Sequence, residues 1–275
     1  MAGRYVGALG ADGALDWLLG VVSANPVLAA GVALGLFVLL VGAYVALRWY
    51  RRPAAARLAR VAAGAEEISI LVHPNPDPDA MGAALGVKHL VETTDADATI
   101  QYPGEIRHHE NRSFRTVLDL DLDHVERAED VTGDAVVLVD HNVPRGFQGA
   151  EGLTVDAVVD HHPGTGTGRS FTDVRPEYGA ASTIVAEYLE TLDLEPASDG
   201  TVDENADLPP AVASGLLYGI LADTDHLTKG ATPAEFDASA YLSTGIDEDL
   251  LDRIANPQVD AETLEVKARA IADRV

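Results

Sequence analysis

An α/β fold is predicted for this 275-residue chain: a parallel, Rossmann-like sheet with helices on both faces, preceded by one transmembrane helix. Three observations predict it. Short Val/Ile/Leu runs of strand length alternate with segments of helical spacing, the pattern of a sheet buried on both faces. Those runs end in His73, Asp140 and Asp160-His161-His162, and ligands in such sheets sit beyond the carboxyl ends of the strands. Residues 27–47 (VLAAGVALGLFVLLVGAYVAL) run without a charge.

Composition narrows the classes. With 47% hydrophobic and 23% charged residues the chain is not disordered, and its length suffices for a sizeable core. The absence of cysteine excludes disulfide frameworks, thiolate metal sites and cysteine nucleophiles. The formal charge is −25, although residues 1–60 carry six arginines against two aspartates, so the acidity is concentrated beyond them. Such a surface repels nucleic acid at low ionic strength, and adaptation to a salty, halophilic interior explains it best, because screening removes the self-repulsion.

In chain order, residues 1–25 form an N-terminal segment and 26–50 the transmembrane helix. Twenty-one uncharged positions span ~32 Å as a helix, enough for a bilayer core. Trp49 and Tyr50 suit the interface, and Arg48, Arg51 and Arg52 suit the cytoplasmic side. The expected localisation is therefore the cell membrane, single-pass, with the larger portion cytoplasmic. A signal peptide fits poorly, because the arginines follow the apolar run instead of preceding it. Residues 51–65 read as a helical connector, 66–256 as the main domain and 257–275 as a C-terminal linker helix. Ser198–Asp207 is an acidic, turn-rich loop.

Within the domain, Ile68–Val72 is a buried strand that runs into His73-Pro74-Asn75-Pro76. Asp79 lies at or near the N-terminus of the helix that follows. Ala98–Ile100 is a second strand and Asn111–Leu118 a helix. Ala135–Val139 and Val155–Val159 are strands ending at Asp140 and Asp160. Helices follow at Ala180–Thr191 and from Pro210 to about Ala222, where Asp223 closes an apolar helix and needs a partner.

The segment His73-Pro-Asn-Pro-Asp77-Pro-Asp79 puts three potential ligands in seven residues on a proline-stiffened loop. Imidazole and carboxylate without thiolate suit Mn²⁺, Mg²⁺ or Fe²⁺ better than structural zinc. Alone, the loop also reads as a proline-rich capping turn. Together with Asp140, Asp160-His161-His162 and Asp223, all at element ends, it points to one site. His108, His109, His124 and His141 read as surface or loop residues. Ser182-Thr183 reads as a cap or a phosphate donor, Arg112 and Arg145 as candidate phosphate contacts, and Asp225-His226 as a spare ligand pair.

These segments resemble the DHH phosphoesterase superfamily: HPNPDPDAMGAALG is similar to its first motif, VVLVDHN to its second, VVDHHPG to the DHH motif and GILADTDHLTKGATPAEFDASAYLSTGID to its fourth. HHENRSFRTVL and GAASTIVAEYL also resemble family segments. The likeness covers about residues 66–256 and is strongest to RecJ-type exonucleases, oligoribonuclease/pAp phosphatases and membrane-bound cyclic dinucleotide phosphodiesterases. It implies two metals, usually Mn²⁺: His73 and Asp77 would hold one, Asp79, His161 and Asp223 the other, with Asp140 bridging. Asp160 would orient a histidine ring, and His162 would contact the scissile phosphate or leaving oxygen. Two metals ~4 Å apart suit hydrolysis of a phosphate ester.

The sequence departs from the family in having Pro78 between the first-motif aspartates, and in ending before the glycine- and histidine-rich second domain. A missing domain or a separate chain would then supply substrate recognition, unless the protein works without it; a homodimer is a separate expectation. The expected function is a membrane-anchored, Mn²⁺-dependent phosphoesterase acting on a nucleotide, short oligonucleotide or cyclic dinucleotide. The alternatives are a non-catalytic nucleotide or metal sensor or partner subunit, and a pyrophosphatase or exopolyphosphatase.

Overall fold

The computed structural model describes residues 24–50, 53–197 and 207–256. The expected linker helix 257–275, nearly all of the segment 1–25 and of the loop 198–207, and Arg51 and Arg52 lie outside the described residues. Contacts divide the chain into two units, Met1–Arg52 and Pro53–Val275, each described by itself.

In the first unit, Pro26–Tyr50 is a helix, α1. The expected membrane span is corrected, and with it the membrane localisation and partner: among the described residues no helix is long and apolar enough to cross a membrane. The cytoplasmic placement of the larger portion rested on that span and goes with it.

The second unit begins with α2 (Ala54–Ala62), within the segment expected to be a connector. It packs into the domain: Ala55, Leu58 and Ala62 are buried in the main core. Six parallel strands follow, β1 (Glu67–Leu71), β2 (Asp97–Pro103), β3 (Asp123–Val125), β4 (Ala135–Val139), β5 (Ala157–Asp160) and β6 (Phe171–Val174), in the order β3-β2-β1-β4-β5-β6. Central β4 and β5 are buried at every residue, as apolar runs in a parallel sheet should be. The short edge strands β3 and β6 have no counterpart in the sequence expectations, because their exposed residues break the apolar run. Strand order reverses at β1, which pairs with β2 on one side and β4 on the other. The crevice at such a reversal is where open α/β sheets bind ligands.

The helices are α3 (Pro78–Glu92), α4 (His109–Val117), α5 (Ala181–Thr191), α6 (Pro210–Asp223), α7 (Pro233–Ser243) and α8 (Glu248–Ala255). The main apolar cluster draws on α2 to α8 and on Ile68, Ile70, Val137, Val139 and Val159 of the sheet. The opposite face carries a small cluster of Leu71, Val125, Val136, Leu138, Val155 and Val158, and no described helix contributes to it. The expected helices on both faces are therefore corrected to one. Right-handed crossovers put the β4–β5 and β5–β6 connections on the second face, and these carry only loops and a 3₁₀ turn at Ala150–Gly152.

Helices α3 and α6 lie unusually close. A Cβ at Gly82 would stand 2.6 Å from the carbonyl oxygen of Gly215. That approach brings the first turn of α3 and the last turn of α6 to the same end of the sheet.

Candidate metal centre

Each predicted side chain reaches the site from an element end. His73 follows β1, Asp140 follows β4, Asp160 ends β5 and Asp223 ends α6. Asp77 caps α3, its Oδ1 accepting from Ala80 N at 3.0 Å, with Pro78 at the first helical position. Asp79 lies in the first turn of the same helix. Asp140 takes a left-handed φ of +60°, tolerated best by Asp and Asn among residues with a Cβ.

Three ligand-bearing clusters result: His73, Asp77 and Asp140; Asp79, His161 and Asp223; and Asp140, His161 and His162. Each could hold a metal ion. Asp140 belongs to two of them with different oxygens. Its Oδ2 is 3.3 Å from His73 Nε2, and its Oδ1 is 3.3 Å from His161 Nε2. His73 Nε2 also faces Asp77 Oδ2 at 3.6 Å, and His161 Nε2 faces Asp223 Oδ2 at 3.4 Å and Asp79 Oδ2 at 3.8 Å.

Backbone carbonyls fix the rings. His73 Nδ1 lies 3.0 Å from Pro74 O, and His161 Nδ1 lies 3.2 Å from Tyr178 O. In the neutral ring, with Nδ1–H donating, each Nε2 is left as an acceptor facing the carboxylates, the arrangement typical of metal-binding imidazole. Asp140 Oδ1 and His161 Nε2 are buried and lack a hydrogen-bond partner. Orphaned buried groups of this kind are costly unless something else satisfies them. A hard divalent cation between carboxylate and imidazole would, so the donor set fits the expected metals.

The charges are strongly coupled. Burial alone would raise Asp140, but His161 and His73 beside it hold it well below the carboxylate range. Burial also opposes charge on His73 and His161; the flanking carboxylates, Asp140 foremost, overcome this and push both up to about 10. Asp79 is raised by burial and by the Asp140 and Asp223 charges. Asp223 is pushed up to about 6 by burial and by Asp77 and Asp140. The carboxylates thus crowd one another more than the imidazoles can offset.

Asp79 has a support that the sequence did not reveal. Its oxygens accept from Ala181 N at 2.7 Å and Ser182 N at 2.8 Å, at the start of α5, so a helix N-terminus stabilises its charge. These are main-chain groups, and the only signal was the run of small residues Gly179-Ala180-Ala181-Ser182. Ser182 therefore serves Asp79.

His162 stands apart. Its Nδ1 donates to Asp160 Oδ1 at 2.9 Å and lies 3.4 Å from Asp140 Oδ1, while its side chain is 49% exposed. Asp160 raises its pKa through that hydrogen bond. Asp160 is fully buried and also accepts from His162 N at 3.0 Å and Asn142 Nδ2 at 2.7 Å.

Arg112 is not part of these clusters. Its guanidinium donates to the carbonyls of Ile106 and Arg107, bracing the loop ahead of α4. Asp225 pairs with Lys229 at 2.5 Å. His141, expected at the surface, is buried, with Nδ1 on Val139 O at 3.0 Å, and burial lowers its pKa to about 4.

The sequence profile of the DHH family N-terminal domain matches residues 67–220, more than half of the chain. The chain belongs to the DHH family. A protein of Methanocaldococcus jannaschii with no stated activity is 34% identical over 74% of this chain and 40% of its own length. A probable manganese-dependent inorganic pyrophosphatase of Lactococcus lactis is 25% identical over 73% of this chain and 68% of its own. One of Lactobacillus johnsonii is 28% identical over 63% and 52%. The chain therefore spans well under half of the archaeal relative. An exopolyphosphatase-related protein of Bacteroides fragilis shares the fold, with a TM-score of 0.57 and 16% identity over 80% of this chain and 64% of that one.

Proposed function

We propose that this DHH chain is a Mn²⁺-dependent phosphoesterase that hydrolyses a nucleotide, short oligonucleotide or cyclic dinucleotide. His73, Asp77 and Asp140 would hold one ion, and Asp79, His161, Asp223 and the other oxygen of Asp140 a second. The placement of Asp140 between His73 and His161 carries the reading, because one carboxylate is presented to two clusters at once. The names of the lactic-acid bacterial relatives support manganese as the metal. Bound there, the two ions would supply a water of lowered pKa and offset the negative charge of the reacting phosphate.

The chain's own groups supply the rest. The amides of Ala181 and Ser182 favour the anionic form of Asp79, against the burial and the carboxylate charges that raise its pKa. Asp160 keeps the His162 proton on Nδ1, and the same hydrogen bond raises the pKa of the ring, which favours a second, transferable proton on Nε2. The exposed edge of His162 can donate that proton to a leaving oxygen. A second reading, hydrolysis of pyrophosphate or polyphosphate, is favoured by the names of the relatives and suits the same residues.

The test is hydrolysis by the full chain with Mn²⁺ in molar KCl, using cyclic di-AMP, pApA, pAp and pyrophosphate, with Asp140→Ala as control. Cleavage of a nucleotide that the substitution abolishes is expected. Turnover of pyrophosphate alone would replace the first reading with the second. Tight Mn²⁺ binding without turnover of any of the four would sink both and leave a sensor or partner subunit.

A further inference from the structure

Glu235 is a carboxylate in the first turn of α7 with no accessible surface, in a part of the chain that contributes no group to the three clusters. Burying a carboxylate is costly unless every oxygen is used. Its Oε2 accepts from Thr232 N at 2.6 Å and Thr232 Oγ1 at 2.7 Å, which closes the cap of its own helix. Its Oε1 reaches 56 residues back to accept from Gly179 N at 2.8 Å.

Gly179 lies in a short segment that hydrogen-bonds two members of one cluster and packs beside the third. One residue before it, the Tyr178 carbonyl receives His161 Nδ1. Two and three residues after it, the Ala181 and Ser182 amides hold both oxygens of Asp79. Gly179 itself packs on Thr224, the residue after Asp223: a Cβ here would lie 2.8 Å from Thr224 Cγ2 and 2.8 Å from the carbonyl oxygen of Gly230. Residues 178–182 thus set His161, Asp79 and the neighbour of Asp223 together, and touch neither His73 nor Asp77 through any described hydrogen bond.

We infer that Glu235 is a positioning residue for the Asp79–His161–Asp223 cluster, acting through the Gly179 amide on the segment whose main chain aims those side chains. This rests on the proposed metal centre. It assigns the two ion sites different dependences: one is braced from α7, and the other takes His73 and Asp77 from the proline-stiffened loop 73–77. Partners that orient metal ligands typically contribute ~10–100-fold in affinity.

The experiment is Mn²⁺ titration of the full chain by calorimetry and electron paramagnetic resonance, comparing the wild type with Glu235→Gln. Asp223→Ala and Asp77→Ala serve to mark which dissociation constant belongs to which cluster. The expected result is a ~10–100-fold weakening of the constant marked by Asp223→Ala, with the one marked by Asp77→Ala unchanged. Thr232→Ala removes the cap hydroxyl but leaves Glu235 on Gly179; it should lower the melting temperature and leave both constants in place. Equal weakening of both sites by Glu235→Gln, or a lowered melting temperature with both constants intact, would overturn the inference and leave Glu235 a structural residue. If Glu235→Gln fails to fold, Gly179→Ala, which crowds the same segment, must show the same selective loss. A wild-type chain that binds no Mn²⁺ would overturn the metal centre itself, a result distinct from loss of selectivity.

Discussion

Asp140 Oδ1 and His161 Nε2 lie 3.3 Å apart, both buried and neither hydrogen-bonded. They face each other without satisfying each other, which is the arrangement expected of two ligands of one cation. The full chain should bind two Mn²⁺, and Asp140→Asn should weaken both sites by at least ~100-fold, since even partners outside the ligand set contribute ~10–100-fold. Asp77→Asn should weaken only one. Calorimetric stoichiometry checks this, and an Asp140→Asn chain that still binds two ions tightly would refute the shared carboxylate. Mn²⁺ at ~100 times the dissociation constant of a site should add about 2.7 kcal/mol to stability, reversed by a chelator.

Binding should also be linked to protons. In the metal-free protein His73 and His161 are held charged up to about pH 10 by the carboxylates around them. A metal needs the neutral ring, so Mn²⁺ uptake near pH 8 should release protons, and apparent affinity should rise with pH toward 10. For stability the sign is opposite. A raised folded-state pKa contributes stability that is complete below the unfolded value of about 6.5 and is lost as pH rises through about 10. The metal-free melting temperature should therefore fall over that window from these two groups, while the Mn²⁺-loaded one is protected. A titration at constant pH that detects no proton release would contradict this.

The parts of the site legible in the sequence are those whose position follows from a strand end. Asp140 and Asp160 each follow an unbroken apolar run, so β4 and β5 fixed both before any geometry was known. Asp77 and Asp79 were legible through the prolines around them. What could not be read is carried by the main chain or by distant segments. The amides that hold Asp79 come from more than 100 residues away, and amides have no sequence signature. His141 looked like a loop residue because its neighbours are polar, yet the turn at Asp140 tucks it under the site. The one-sided helix layer was hidden for a related reason: the near-continuous apolar runs of β1 and β4 report two buried faces but not whether a helix or a loop covers each.

His162 offers a way to separate chemistry from binding. It is half exposed and hydrogen-bonded to Asp160 through Nδ1, which leaves Nε2 for other partners. His162→Gln should lower kcat by ~10²–10⁴-fold, the usual contribution of a general acid, while both Mn²⁺ constants stay within a few-fold of wild type. Asp160→Asn should act in the same direction by weakening the hold on Nδ1. A kcat unchanged in His162→Gln would remove this ring from the reaction.

The acidic surface makes a prediction of its own. With a formal charge of −25, like charges repel across the folded surface. The unfolded chain relieves that repulsion by expanding. The screening length falls from ~10 Å at 0.1 M salt to ~3 Å at 1 M, so the penalty should largely vanish over that range. The melting temperature should rise from 0.1 to 1 M KCl, with NaCl acting similarly because screening depends on ionic strength and not on ion identity. A rise seen only with KCl would point to specific cation binding instead. A flat response would mean that the surface charge is already balanced locally, as in the Arg175–Asp173 and Arg175–Glu187 pairs at 2.7 Å.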